Sequence, residues 1–373
     1  MILMTDTSKR AWVEIDLSAL EHNYKEIRSH LPAGCRFLGV VKVDAYSHGA
    51  LAVSRELERL GADYLAVACL DEAAALRAGG IKMPVLILGT TPAEYARELA
   101  RLGITQTVCS LDQARELSAA LGGMDLKVHI KIDTGMGRLG FRPEDTDAMA
   151  EAMRLPGLRA EGVFTHFAVS DEFGDPFTRL QFERFLAAVE AVERAAGQTF
   201  DIRHCANTGA VINYRQTCLD MVRPGLALYG HYPAAERGGL DLRPVMSFRA
   251  RVSAVQEHLP GETISYGRTF TADRPMRVAV VGAGYADGLH RALSGRMDML
   301  INGRRVRQIG RICMDMCMAD VTDVPCAPGD VATIFGSEGD ASVSVDELAA
   351  LAGTISYELL CAISPRVPRV YIR

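Results

Sequence analysis

The chain predicts a (β/α)8 TIM-type barrel over residues 11–240, followed by a mostly β domain over 241–373. Three observations carry this. Short apolar or alternating runs recur at 37–42, 64–68, 85–88, 107–109, 126–132, 162–167, 202–205 and 221–222 with 227–229, and helical patterns separate them. Past Leu240 the texture changes. Runs at 278–281, 299–301 and 331–334 alternate like strands, and long helical patterns are few there. A doubly wound sheet would want fewer strands and a glycine-rich first turn, which is missing.

Taken in order, residues 11–15 read as a short strand, open to joining the β domain. Ser18 and Glu21 then form an S-x-x-E pattern ahead of Leu20, Tyr24 and Ile27 at helical spacing. Helices are predicted at 50–60, 71–78, 111–121 and 177–196, and in the second part at 345–352. Asn302-Gly303, between the runs at 299–301 and 306–309, has the composition of a hairpin turn.

At 373 residues the chain can bury two cores, and 49% hydrophobic with 23% charged residues is the balance of a soluble globular protein. A net charge of -5 with both signs interspersed argues against nucleic acid as a partner. No apolar run approaches the roughly 20 residues that span a bilayer. The opening MILMTDTSKR turns polar too early for a signal peptide, so a cytoplasmic protein is expected. The nine cysteines include no C-x-x-C pair. Cys69, Cys109 and Cys205 sit in apolar runs, which suggests buried, reduced thiols. Cys313 and Cys317 lack a histidine at zinc-ligand spacing, so no metal is expected.

The chemistry gathers around VVKVDAYSHG, residues 40–49. An apolar run ends in Lys42, and a lysine at the end of a barrel strand faces the loops that build a site. Desolvation there makes an amine a usable nucleophile. On its own such a lysine is more often solvated. In Val128-His129-Ile130-Lys131-Ile132-Asp133 the polar residues alternate with apolar ones and point one face at the barrel mouth. Arg138 lies in the loop TGMGRLG that follows, where pairing with Asp133 is the plain reading. His166 ends another strand and reads, taken alone, as a core histidine. Asn207 and Thr208 open a helical pattern, as a helix cap or as a phosphate site.

These segments, in this order, resemble the alanine racemase family along essentially the whole chain. VVKVDAYSHG departs from that family's lysine motif, V-V-K-A-[DN]-A-Y-G-H-G, at Val43 and Ser47, and Ser47 must reproduce a turn that glycine makes freely. KIDTGMGRLG (131–140), the Asn207-Thr208 pair, Arg223-Pro224-Gly225-Leu226, Ser265-Tyr266-Gly267, Tyr285-Ala286-Asp287-Gly288 and the GRICMD run at 310–315 match further motifs.

The resemblance implies pyridoxal 5'-phosphate (PLP) held as an imine on Lys42. Tyr46, Asn207, Thr208 and the backbone of Gly225 and Leu226 would serve its phosphate, with His166 on its ring and Arg223 at its nitrogen. Arg138, Met314 and Tyr285 would bind substrate, and Lys131 would be carbamylated, as in many members. The implied activity is interconversion of L- and D-alanine, for peptidoglycan precursors or for catabolism. It runs in a homodimer with shared active sites, with Lys42 on one face of the substrate and Tyr266 of the partner subunit on the other. Pro365 stands where many relatives have a tyrosine, which leaves open a serine or broad-specificity racemase. A PLP-dependent basic amino-acid decarboxylase and a non-catalytic PLP carrier are more distant alternatives. Arg223 in place of an acidic pyridine partner speaks against the first, and the β domain against the second.

Overall fold

The computed structural model describes residues 9–233 and 238–373, which fall into two compact units. One contains Glu21–Ala45 and Ala50–Arg243. The other contains the described residues up to Leu20, with Tyr46–Gly49 and Pro244–Arg373.

Strand β1 (Ala11–Asp16) leads into helix α1 (Leu17–Ser29). Parallel strands follow: β2 (Arg36–Val40), β3 (Tyr64–Val67), β4 (Val85–Ile87), β5 (Ile104–Val108), β6 (Leu126–Lys131), β7 (Leu158–Phe164), β8 (Ile202–His204) and β9 (Met221–Val222). The helices among them are α2 (Ala50–Leu60), α3 (Leu70–Ala78), α4 (Ala96–Arg101), α5 (Leu111–Ala120), α6 (Thr146–Arg154), α7 (Pro176–Ala196) and α8 (Thr208–Asn213). The eight strands β2 to β9 form one sheet in which β9 also pairs with β2, through Phe37↔Val222. Donation from Asp220 N–H to Arg203 O (3.1 Å) and from Arg223 N–H to Ala206 O (2.9 Å) links β9 to β8 and nearly closes the barrel. Helices cover the outside, so the strands are buried on both faces and read as continuous apolar runs. β3 and β4 are buried throughout.

The second unit continues with β10 (Met246–His258), β11 (Thr263–Ile264), β12 (Phe270–Thr271), β13 (Met276–Val281), β14 (Asp298–Ile301), β15 (Arg304–Ile309), β16 (Cys317–Asp320), β17 (Val331–Glu338), β18 (Ala341–Val343), α9 (Val345–Ala352), α10 (Ser356–Cys361) and β19 (Arg369–Ile372). β10, β13, β16, β15, β14 and β17 pair in a closed antiparallel circuit, because β17 returns to β10. β1 pairs antiparallel with β10 and parallel with β19. The hairpin at Asn302-Gly303 forms as expected, with φ of 50° and 73°.

Four local expectations are corrected. The strand expected at 107–109 begins at Ile104, because Thr105, Gln106 and Thr107 are buried rather than exposed, the last two with hydrogen-bonded side chains. The apolar run at 227–229 is a 3-10 turn, not strand, set between Gly225 and a left-handed Gly230. The S-x-x-E box does not cap α1. Asp16 Oδ1 accepts the Ser18 and Ala19 N–H groups (2.8 and 3.0 Å), and Glu21 pairs instead with Lys25 and Arg59. Cys69, expected among the buried thiols, is exposed at the start of α3, because its run ends where the barrel strand ends.

Candidate active site

Lys42 leaves the C-terminal end of β2, half-buried. The five residues after it, Val43 to Ser47, all have positive φ, between 51° and 64°. They form a left-handed turn without a single glycine, at a cost of roughly 1–2 kcal/mol per residue. Ser47, the departure from the expected glycine, takes φ 64° and is buried. Its hydroxyl donates to the carbonyls of Cys361 (3.4 Å) and Ile363 (3.3 Å), which gives the side chain a place in the turn. Tyr46 is buried too, its ring 6.0 Å from that of Tyr357, and burial pushes its phenol above the ordinary range.

Arg223, just past β9, is fully enclosed by the barrel. Its guanidinium donates to His204 Nδ1 (3.0 Å), the carbonyls of Thr165 (2.8 Å) and Cys205 (3.1 Å), and His166 Nδ1 (3.3 Å). All these acceptors are neutral, and burial pushes the guanidinium down to about 10. Arginine has no acceptor, so the direction of each bond is fixed. His204 accepts at Nδ1, carries its proton on Nε2 and donates to His129 Nδ1 (2.9 Å). His129 therefore carries its proton on Nε2, a buried atom with no partner among the described residues. Burial, then the Arg223 charge, pushes His129 down to about 3 and holds His204 and His166 well below the usual imidazole range.

Lys131 ends β6 with its ammonium 5.2 Å above the Phe164 ring, donating to Ile132 O (3.1 Å). Burial pushes it down to about 7; the Arg223 charge is the next cause and Arg138 a smaller one. Asp133 takes the backbone N–H groups of Gly135 (3.0 Å), Gly137 (3.1 Å) and Arg138 (2.8 Å). It therefore shapes the loop that carries Arg138 through the backbone. Asn207 caps α8 by accepting the Ala210 N–H (3.1 Å), and Thr208 Oγ1 accepts the Gly225 N–H (2.9 Å), which fastens the Gly225-Leu226 segment to the start of that helix.

The positive charges of Arg223, Lys131, Arg138 and Lys42 all act on His166. The barrel thus brings those residues to one mouth, together with Asn207, Thr208, Gly225 and Leu226.

The second unit holds the remaining candidates. Tyr266 stands 71% exposed between Ser265 (φ 70°) and Gly267 (φ 71°). Ser265 Oγ anchors this kink by donating to Arg311 O (2.7 Å). Tyr266 and Met314 share the wall of a 510 Å³ cavity with Cys313 and Met316. Tyr285 and Met314 come together because Tyr285 N–H donates to Cys313 O (2.9 Å) and Ala286 N–H to Met314 O (3.0 Å). Gly284 permits the approach: a Cβ there would stand 2.4 Å from both carbonyl oxygens.

Three residues were missed at the sequence level. Asp287, fully buried, pairs with Arg10 (2.6 Å) and Arg366 (2.8 Å), and Arg366 also reaches Asp315 (2.8 Å), which links the motifs at 285–288 and 310–315; its place inside a motif was the available signal. His204 had a strand-end position, like His166. Glu72, discussed below, offered none.

Fold and site together have the form of a barrel-type amino-acid racemase. Residues 15–233 match the family "Alanine racemase, N-terminal domain" and residues 245–371 match "Alanine racemase, C-terminal domain". The chain belongs to the alanine racemase family. It is 46% identical to an alanine racemase of Desulfovibrio desulfuricans over 99% of this chain and 100% of that one. Among solved structures it resembles alanine racemase of Clostridium difficile 630, with TM-score 0.93 and 37% identity over 98% of this chain and 96% of that one. It also resembles the Bacillus anthracis enzyme with bound L-Ala-P, with TM-score 0.93 and 35% identity over 98% and 95% of the two chains.

Proposed function

We propose that the chain is an alanine racemase that interconverts L- and D-alanine with PLP, by a two-base mechanism in a homodimer. The observation that carries this reading is the buried Arg223 guanidinium at the barrel mouth, bonded to His204, His166 and the carbonyls of Thr165 and Cys205. A set of donors and cations around a buried guanidinium with only neutral acceptors fits an anionic, phosphate-bearing cofactor with an unprotonated ring nitrogen. When bound, PLP makes the Cα–H of an amino acid acidic. Lys42 would hold the cofactor and then serve one face of Cα as proton acceptor or donor. Tyr266 of the partner subunit would serve the other face. His166, with Nδ1 taken by Arg223, has Nε2–H left to donate. Arg138, Tyr285 and Met314 would hold the substrate. Tyr46, Asn207, Thr208, Gly225 and Leu226 would hold the phosphate. Among the described residues no helix is long and apolar enough to cross a membrane, and a cytoplasmic setting agrees with the substrate.

The test is incubation with L-alanine in deuterated water. D-alanine labelled at Cα is expected. With L-lysine in a parallel sample, an amine product would mean a decarboxylase, and both amino acids unchanged a carrier.

Two predictions arise here. Lys131, pushed down to about 7, gains neutral amine as pH rises through that value, and only the neutral amine captures carbon dioxide. A carbamate turns the cation beside Arg223 and Arg138 into an anion that accepts from guanidinium. Protein in carbon-13 bicarbonate should therefore show a carbamate resonance that grows with pH and is absent from Lys131→Ala. No resonance in the wild type refutes the assignment.

Pro365 lies exposed at the second position of a turn closed by Val367 N–H donating to Ser364 O (3.0 Å), a position proline favours. It offers no hydroxyl and less bulk than tyrosine. Rejection of an added hydroxyl by shape alone reaches only about a hundredfold, so L-serine should be racemised detectably, with alanine preferred. Pro365→Tyr should shift the ratio of kcat/KM values toward alanine; an unchanged ratio, with serine rejected by several orders of magnitude, counts against this.

A further inference from the structure

We propose that Glu72 is a positioning residue for Lys42, which deepens the reading of Lys42 as the reactive amine and rests on it. Glu72 lies in the first turn of α3 and does not touch the Lys42 amine in any bond described above. Its two carboxylate oxygens are divided between two backbone donors. Oε1 accepts the Val43 N–H (2.6 Å) and Oε2 accepts the Ala68 N–H (2.7 Å). Val43 is the first residue of the left-handed turn, and Ala68 is the first residue past β3.

β2 and β3 are neighbours, with Val40 opposite Ala66, and the Val41 N–H donates to Ala66 O (2.8 Å). Glu72 extends that pairing past the last ladder bond, where the two chains would otherwise splay. Farther along, the Ala45 N–H returns to Val41 O (2.9 Å), and Asp44 Oδ1 accepts the Ala50 N–H (2.7 Å). The turn is therefore pinned at both ends, by Glu72 before it and by Asp44 after it. Lys42 is the residue between the last strand residues and the Glu72 contact. The direction in which its side chain leaves the backbone is set by the dihedral angles that this contact fixes.

The carboxylate is needed as such. Glutamine offers one oxygen and one NH2, so one of the two N–H groups would meet a donor. Aspartate keeps both oxygens on a stem shorter by one methylene. A simple cap for α3 would not need an acceptor for Val43, whose N–H belongs to another segment of the chain.

The experiment compares full-length wild type, Glu72→Gln and Glu72→Asp by amide hydrogen exchange and by kinetics of the PLP-loaded enzyme. In Glu72→Gln, exchange at Val43 should rise at least tenfold, while peptides of β6 and β16 keep wild-type protection. The same variant should lose at least tenfold in kcat with KM changed less than threefold, since misplacement of a reacting group by about 1 Å can cost about a hundredfold. Glu72→Asp should recover most of both.

Faster exchange at Val43 with kcat and the cofactor's visible spectrum unchanged would make Glu72 merely structural and overturn the proposal. So would wild-type exchange in Glu72→Gln. If Glu72→Gln does not fold, Glu72→Asp decides: wild-type exchange and kcat support the role, and loss of kcat with intact Val43 protection overturns it. Failure of the underlying reading is separate, since it would appear as a retained imine band in Lys42→Ala whatever Val43 does.

Discussion

Lys42→Ala is expected to abolish both racemisation and the imine band of the bound cofactor. The substituted residue keeps its backbone place at the end of β2, and alanine is accommodated where the half-buried lysine stem ran. The cations around His166 remain, so PLP should still bind, reversibly and with the spectrum of the free aldehyde. On the proposed reading, the change would remove the covalent anchor and one of the two bases while sparing the remainder of the mouth. Activity should fall by several orders of magnitude, more than from loss of a single hydrogen-bond donor. Absorption spectra and a chiral assay on the same preparation check it, and an unaltered spectrum would remove Lys42 from its role.

Recovery of activity in mixed dimers is the second large effect. Lys42→Ala and Tyr266→Phe chains should each be inactive alone. If Tyr266 serves the partner's barrel, each hybrid dimer contains one site with both bases intact. Random exchange in an equal mixture would then leave about a quarter of the sites whole. The exposure of Tyr266, at 71%, and of Met314, at 53%, is what motivates the experiment, since large apolar side chains presented together mark an interaction surface. Chain exchange confirmed by mass, with no activity, would mean that each subunit supplies both bases itself.

The barrel was legible because parallel strands buried on both faces leave continuous apolar runs, and because the helices between them keep a 3.6 period. What stayed hidden had physical reasons. Thr105, Gln106 and Thr107 look like loop by hydropathy, yet all three are buried: Gln106 donates to the carbonyls of Gly89 and Thr107 (2.8 Å each), and Thr107 to Ile87 O. The short apolar run before Gly230 has no period to separate strand from turn. The Ser18–Glu21 spacing was a valid cap pattern, but Asp16, already placed by β1, reached the free N–H groups first.

Site residues inside long motifs were readable by type and order. Glu72 was not, because an acidic residue in the first turn of a helix ordinarily faces solvent. Its partners lie just past the ends of two different strands, and only the fold brings them to it. Nor could the sequence tell that Val43 to Ser47 turn left-handed without glycine, since local preference argues against it.

The chain of donors from Arg223 through His204 to His129 has a further consequence. Each link passes its hydrogen onward, and the last one, on His129 Nε2, faces no acceptor among the described residues. A conduit for protons needs each member to give at one end and receive at the other, and this series stops inside the wall. Along this series the barrel wall does not relay a proton. Hydrogen taken from a substrate carbon would find no outlet by that way. It would be traded with solvent at the mouth instead, and the isotopic composition of the product would then report on traffic through that opening.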